Sequence, residues 1–143
     1  NQPVVARGTI DEDGLHALHV LMEGKLGEGG AWLDDIFTCV HHEDGGFPGE
    51  RRDLKIRCTC RKPGSGMLER ACRELQIDPR RSIMIGDRRL DVLAGRGVGA
   101  RTILVRTGHG AHEEAMPLDG MRPDAILDNL MEAVGWILRT SSR

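Results

Sequence analysis

Cys39-Val40-His41 and Cys58-Thr59-Cys60 place three thiols and an imidazole in two pairs, each interrupted by one residue. In extended backbone, side chains i and i+2 face the same way, so each pair presents two donors to one point. Together they make a closed Cys3His set, which suits tetrahedral zinc and leaves no open position, so the ion is structural. That closure pins both ends of the charged, glycine-containing stretch 42–57 and constrains the fold more than any other feature. His42 is a rival donor, but adjacent residues of an extended segment face opposite ways, and the spacing favours His41. Three thiolates on Zn²⁺ leave about one net negative charge, which Arg52, Lys55, Arg57 and Arg61 can offset. Arg61 and Lys62 follow the last thiol directly, two cations beside the metal loop, and suggest an anionic ligand such as phosphate.

Composition excludes other classes. The 143 residues suffice for one domain with a core. A net charge of −2 and the absence of Tyr argue against a nucleic-acid partner. No apolar run reaches membrane-spanning length and no signal peptide opens the chain, so neither membrane nor secretion is expected. Three of the four cysteines belong to the metal pattern and Cys72 stands alone; a disulfide framework is not expected, and a reducing cytoplasm is.

Along the chain, Thr9 and Glu12 spell a capping box, followed by Leu15, Leu18, Met22 and Leu26 at helical spacing until Gly27 and Gly29-Gly30. Residues 34–39 read as a short strand delivering the first metal pair, and 54–56 as a strand returning to Cys58. A helix opens at Ser65 or Gly66 with Leu68, Ala71, Cys72 and Leu75 inward, which makes Cys72 a core thiol. Ser82-Ile83-Met84-Ile85 is a buried parallel strand ending in Gly86-Asp87. A helix over roughly 89–96, a strand over 101–106, a loop containing His109, His112 and Pro117, a strand over 124–127 and a helix over 129–138 complete the pattern. Alternating helix and strand predicts a doubly wound parallel α/β sheet.

Ligands of such sheets bind outside the carboxyl ends of the strands, where Asp87 falls. An Asp there with a second at i+4, Asp91, can hold Mg²⁺ directly and through water; the competing reading makes Asp87 a helix N-cap and Asp91 a partner of the helix dipole. Lys62, set in extended geometry by Pro63, can neutralise a phosphoryl group. Asp11-Glu12-Asp13-Gly14 spells D-x-D-G, but in the first turn of a capped helix, where acidic residues serve the dipole. It is not read as a nucleophile.

Cys39-x-His41-His42, Cys58-x-Cys60-Arg61-Lys62-Pro63, Gly86-Asp87 with Asp91, Val105-Arg106-Thr107-Gly108 and the Asn1-Gln2…Ala6-Arg7-Gly8 opening together resemble the haloacid dehalogenase superfamily. Within it they resemble the zinc-containing heptose bisphosphate phosphatase and histidinol-phosphatase group, the long 42–57 loop favouring the former. The resemblance implies a Rossmann-like sheet and hydrolysis of a sugar bisphosphate through an aspartyl-phosphate, with structural Zn²⁺ and catalytic Mg²⁺. By position, Asp87 is the Mg²⁺ ligand with Asp91 behind it, and Lys62 stabilises the phosphoryl group. Asn1, Gln2, Arg61, Lys62 and Arg88 bind substrate. The family's D-x-D-G-T strand has no counterpart here. The expectation is one domain over 1–143 with its zinc loop at 39–60, lacking a first strand-helix-strand unit and its nucleophile, and inactive alone. Pro3-Val4 departs from the family's Ser-Gly. A histidinol-phosphate phosphatase, or a non-catalytic zinc module joined to a sugar-nucleotide transferase domain, are the alternatives.

Overall fold

The structure, a computed structural model, describes residues 1–116 and 122–141. Pro117 therefore lies outside the described residues. Two compact units divide the chain, Asn1–Arg61 and Lys62–Arg143.

The second unit holds the sheet. Strands β1 (Ile83–Gly86), β2 (Arg101–Val105) and β3 (Ala125–Leu127) run parallel in the order β1-β2-β3, with Ile83 opposite Arg101 and Ile103 opposite Ala125. Side chains alternate between faces along each strand. Ile83, Ile85, Ile103, Val105, Ala125 and Leu127 form one apolar face, packed on Ala133, Trp136 and Ile137 of the C-terminal helix α6 (Leu130–Ser141). The opposite face carries Met84 and Thr102 against helix α4 (Arg89–Gly97), whose backbone comes so close at Gly95 that a Cβ there would lie within 2.8 Å of both. With helices on both faces the sheet is doubly wound, as the alternation of elements predicts. Ile103 and Leu104 are fully buried, each contributing roughly 1.5–3 kcal/mol of apolar burial. Thr102 is also buried, and its N–H and hydroxyl both donate to Asp124 Oδ2, at 2.7 and 3.2 Å.

Helix α3 (Gly66–Glu74) starts after Ser65 as the sequence predicts. Its Leu68, Ala71 and Cys72 line an apolar cavity with Ile83, Met84 and Val98, consistent with Cys72 as a core thiol. Leu75, expected inward, is 38% exposed, and Met67 is buried instead. A short helix α5 (Gly110–Ala115) occupies part of the segment read as loop.

The first unit departs further from expectation. A four-residue helix α1 (Pro3–Ala6) has Pro at its first position, where a missing N–H costs nothing. Helix α2 (Glu12–Glu28) is capped by Asp11, whose Oδ1 accepts the Gly14 N–H at 2.8 Å. Thr9 is not the cap because its N–H bonds the Val4 carbonyl and so closes α1. The helix also runs through Gly27 and stops at Gly29-Gly30. Of the stripe expected inward, Leu15 is buried, whereas Leu18 and Met22 are 53% and 40% exposed. The strands expected at 34–39 and 54–56 do not form. Residues 31–47 are irregular and Arg52–Leu54 is a 3-10 turn. The loop is tied by single bonds, Gln2 N–H to the Cys39 carbonyl at 2.7 Å and His42 N–H to the Leu54 carbonyl at 3.2 Å, with no ladder.

Candidate metal centre and carboxylate site

In the first unit Cys39, His41, Cys58 and Cys60 converge, their donor atoms all within 4.8 Å of one another. Cys60 Sγ lies 3.1 Å from Cys39 Sγ and 3.2 Å from Cys58 Sγ, and His41 Nδ1 is 3.3 Å from Cys60 Sγ. Tetrahedral zinc with Zn–S bonds of about 2.3 Å needs sulfur–sulfur edges of about 3.8 Å, so a small outward movement seats an ion among these atoms. The i, i+2 pairing thus works without any strand partner.

The acid–base state of the thiols fits a cation. Burial pushes the Cys60 thiol up to about 12, and the neighbouring Cys39 and Cys58 sulfurs add to the shift. Burial likewise raises Cys39. Burial opposes ionisation of Cys58 too, but hydrogen bonds from Cys60 and from the Arg61 backbone outweigh it and lower that thiol. Three crowded sulfurs cannot all ionise without a positive charge between them, and a divalent ion supplies one.

His42 is not a donor to this centre. Its ring is 6% exposed, Nδ1 accepts the Asp44 N–H at 3.1 Å, and Nε2 lies 3.2 Å from the Arg7 guanidinium. Burial, reinforced by the Arg61 charge, holds its imidazole below the ordinary histidine value. Of the four cations expected to offset thiolate charge, Arg61 touches the metal loop, donating to the His41 carbonyl at 3.3 Å. Lys55 is drawn to Glu50 at 3.4 Å, and Arg57 pairs with Glu43 at 3.9 Å. Asn1 and Gln2 belong to this unit, where Gln2 is anchored by its backbone to Cys39.

In the second unit, β1 ends in Gly86-Asp87 at the carboxyl edge of the sheet. Asp87 does not cap α4; that position belongs to Arg88. The Asp87 carboxylate is instead oriented by α5, with Oδ2 accepting the His109 N–H at 2.9 Å. Gly108 makes this approach possible. Its φ of +67° lies in the left-handed region, and a Cβ there would lie 2.3 Å from Asp87 Oδ2. Asp91 is buried and reaches both ways: Oδ2 accepts the Arg88 N–H at 3.1 Å and Oδ1 takes the Lys62 ammonium. The Arg88 side chain is exposed beside them.

The sequence reading placed Lys62, Asp87, Arg88 and Asp91 individually; the structure joins Lys62, Asp91 and Arg88 in one hydrogen-bonded set. Sequence reasoning missed the roles of Gly108 and His109, although Thr107-Gly108 at a strand end was a visible signal. It also missed Arg106, whose guanidinium bonds both Glu114, at 2.6 Å, and Asp128, at 2.6 Å. Asp11, in the D-x-D-G segment, spends its carboxylate on capping α2. Among the described residues no helix is long and apolar enough to cross a membrane.

Residues 59–133 match the HAD-hydrolase-like family. The chain is 40% identical over 129 residues to the D-glycero-beta-D-manno-heptose-1,7-bisphosphate 7-phosphatase of Haemophilus influenzae, an alignment covering 90% of this chain and 67% of that protein. It is 40% identical over 114 residues to the D-glycero-alpha-D-manno-heptose-1,7-bisphosphate 7-phosphatase of Photorhabdus laumondii, covering 79% of this chain and 60% of that one. The D,D-heptose 1.7-bisphosphate phosphatase of B. bronchiseptica, crystallised with magnesium and phosphate, superposes with a TM-score of 0.83 at 30% identity, covering 98% of this chain and 72% of that one. A parallel sheet wound on both faces, an Asp at the carboxyl end of its β1 and this degree of identity agree: the chain belongs to the HAD-hydrolase-like family.

Proposed function

We propose that this chain is the larger part of a magnesium-dependent phosphatase that removes the 7-phosphate from a D-glycero-D-manno-heptose 1,7-bisphosphate, working in the cytoplasm. The observation that carries the reading is the arrangement at the end of β1, where Asp87 is oriented by His109 N–H and Lys62 is held on the adjacent Asp91. The names of the relatives supply the substrate class. Residues 1–143 form one domain in this reading, with Asn1, Gln2, Arg61 and Arg88 contacting substrate.

Asp87 would hold Mg²⁺, which when bound neutralises phosphate charge. Cys39, His41, Cys58 and Cys60 would hold structural Zn²⁺. Lys62 places its ammonium against the phosphoryl oxygens and stabilises the charge they carry during transfer. The nucleophile is an Asp outside these residues, since the D-x-D of this chain caps a helix. Its carboxylate oxygen attacks phosphorus as the P–O bond to the sugar breaks, and a neighbouring acid protonates the leaving oxygen. Water then cleaves the acyl phosphate and restores the carboxylate. The test is hydrolysis of heptose bisphosphate and of histidinol phosphate by the chain completed with its nucleophile segment. Faster turnover of histidinol phosphate would overturn the substrate assignment.

Two expected outcomes follow from particular residues. Gly108→Ala displaces the Asp87 carboxylate and raises half-saturating Mg²⁺ by about tenfold or more, as loss of an orienting partner does at metal sites; a magnesium titration of the completed enzyme measures it. Arg61→Ala lowers kcat/KM for heptose bisphosphate by about tenfold, and that for a small aryl phosphate much less. Equal losses on both would leave Arg61 as a support of the metal loop through the His41 carbonyl.

A further inference from the structure

We propose that the outward face of helix α6 is a docking surface for a second copy of this chain, the two helices lying antiparallel about a twofold axis near Gly135. Nothing in this surface depends on the phosphatase reading.

Residues three and four positions apart share a face of a helix. On α6 (Leu130–Ser141), Ala133, Trp136 and Ile137 face the sheet. Leu130, Val134 and Leu138, spaced by four, make a second apolar row, and Met131 lies beside it. They are 58%, 42%, 65% and 79% exposed in that order. A surface helix carries one apolar stripe toward its core and polar residues opposite; α6 carries two. Exposed leucines scattered singly need no explanation, but four apolar side chains adjacent on one twelve-residue helix form a patch.

Charge selects the occupant. Glu132 stands in the first turn of α6 and Arg139 in its last, both exposed. Seven residues is close to two turns, so both charges lie on the same flank of the apolar row. A second α6 laid antiparallel sets each Glu132 beside the partner's Arg139 and each Met131 beside the partner's Leu138. A parallel pair would instead oppose like charges. The face is therefore complementary to itself under a twofold rotation, as a closed isologous dimer requires. Gly135, at the middle of the helix, keeps the crossing point low. A Cβ there would lie 3.2 Å from Arg139 Nη1, so its absence lets the guanidinium fold back along the helix beside the apolar row. Twelve residues span about 18 Å. One helix pair of that length buries less than the roughly 1,200–2,000 Å² of a standard interface, so the dimer is weak, with a Kd of about 10–500 µM.

Sedimentation equilibrium of the 143-residue chain, purified with zinc present, should show monomer passing to dimer across that concentration range and stopping there, because a twofold contact closes. Met131→Lys and Leu138→Lys, both at exposed positions, should each weaken the dimer by about tenfold or more. Glu132→Arg and Arg139→Glu should each weaken it by about three- to tenfold, and the double variant should restore it. If a variant does not fold, amide shifts of the unaltered chain on dilution give a second measurement and should be confined to α6. A chain monomeric throughout would overturn the proposal, as would growth past a dimer or dilution shifts centred elsewhere. Association indifferent to Met131→Lys and Leu138→Lys, or a double swap no tighter than either single one, would do the same. In the chain completed with its nucleophile segment the dimer should persist; its loss there would assign the face to that segment and overturn the proposal too.

Discussion

Cys58→Ser should release the zinc proposed for the Cys39, His41, Cys58 and Cys60 cluster and unfold the first unit while the sheet of the second survives. The first unit buries little apolar material: among the described residues its buried hydrophobics are Val5, Ala6, Leu15 and Cys39, the last a member of the cysteine–histidine cluster. Helix α2 exposes Leu18, Val20 and Leu21 by more than half. Structural zinc in small peptides contributes about 10–16 kcal/mol, comparable with the roughly 5–15 kcal/mol of a whole domain. The second unit has a separate core in Val92, Ile103, Leu104, Val105 and Ala133. Elemental analysis should find one zinc per chain and none in Cys58→Ser, and amide exchange should lose protection in 31–61 and keep it in β1 and β2. Cys72→Ser, on the cavity-lining face of α3, should keep its zinc. Full protection of the loop in a zinc-free protein would show that packing alone holds it.

The second large effect concerns catalysis. The 143 residues alone should hydrolyse no phosphate ester above background, and joining a strand that ends in D-x-D-G-T should bring Mg²⁺-dependent turnover. In that completed enzyme Asp87→Asn should lower kcat by about 10²-fold or more, because a neutral amide would replace the charged carboxylate proposed to hold Mg²⁺. Covalent phosphoryl transfer needs a carboxylate in line with phosphorus. Asp11 cannot serve, since its Oδ1 is bound by the Gly14 N–H at 2.8 Å at the start of a helix. Release of phosphate from a sugar bisphosphate by the isolated chain, abolished by Asp11→Asn, would reverse this assignment.

Where the sequence was readable, short-range chemistry decided the outcome. The i, i+2 pairs of Cys39–His41 and Cys58–Cys60 converge because their spacing is a property of extended backbone itself, whether or not a strand forms. The alternating Ile83, Ile85, Ile103 and Val105 could likewise be assigned to one face from period alone. Failures came where a contact between distant residues intervened. Thr9 has the right spacing for a cap, but the turn that closes α1 takes its N–H first. Leu18 and Met22 have helical spacing, yet periodicity reports a stripe and not what covers it. Asp91 carries no sequence mark of its partner, since Lys62 lies 29 positions away. Gly86 and Gly108 read as turn residues, and only coordinates show that each makes room for a carboxylate.

Among the described residues strand β1 stands at the end of the sheet order, paired on one side by β2. Its residues, Ile83-Met84-Ile85-Gly86, include no proline, no lysine and no other charge, the devices by which proteins commonly keep an edge from recruiting another chain. A backbone row of this kind is a template for any extended segment, including the same strand of a neighbouring molecule. Concentrating the isolated chain therefore favours strand-to-strand association, and a heavy species seen in sizing would measure the stickiness of a bare edge. Purification at low protein concentration is the corresponding practical rule.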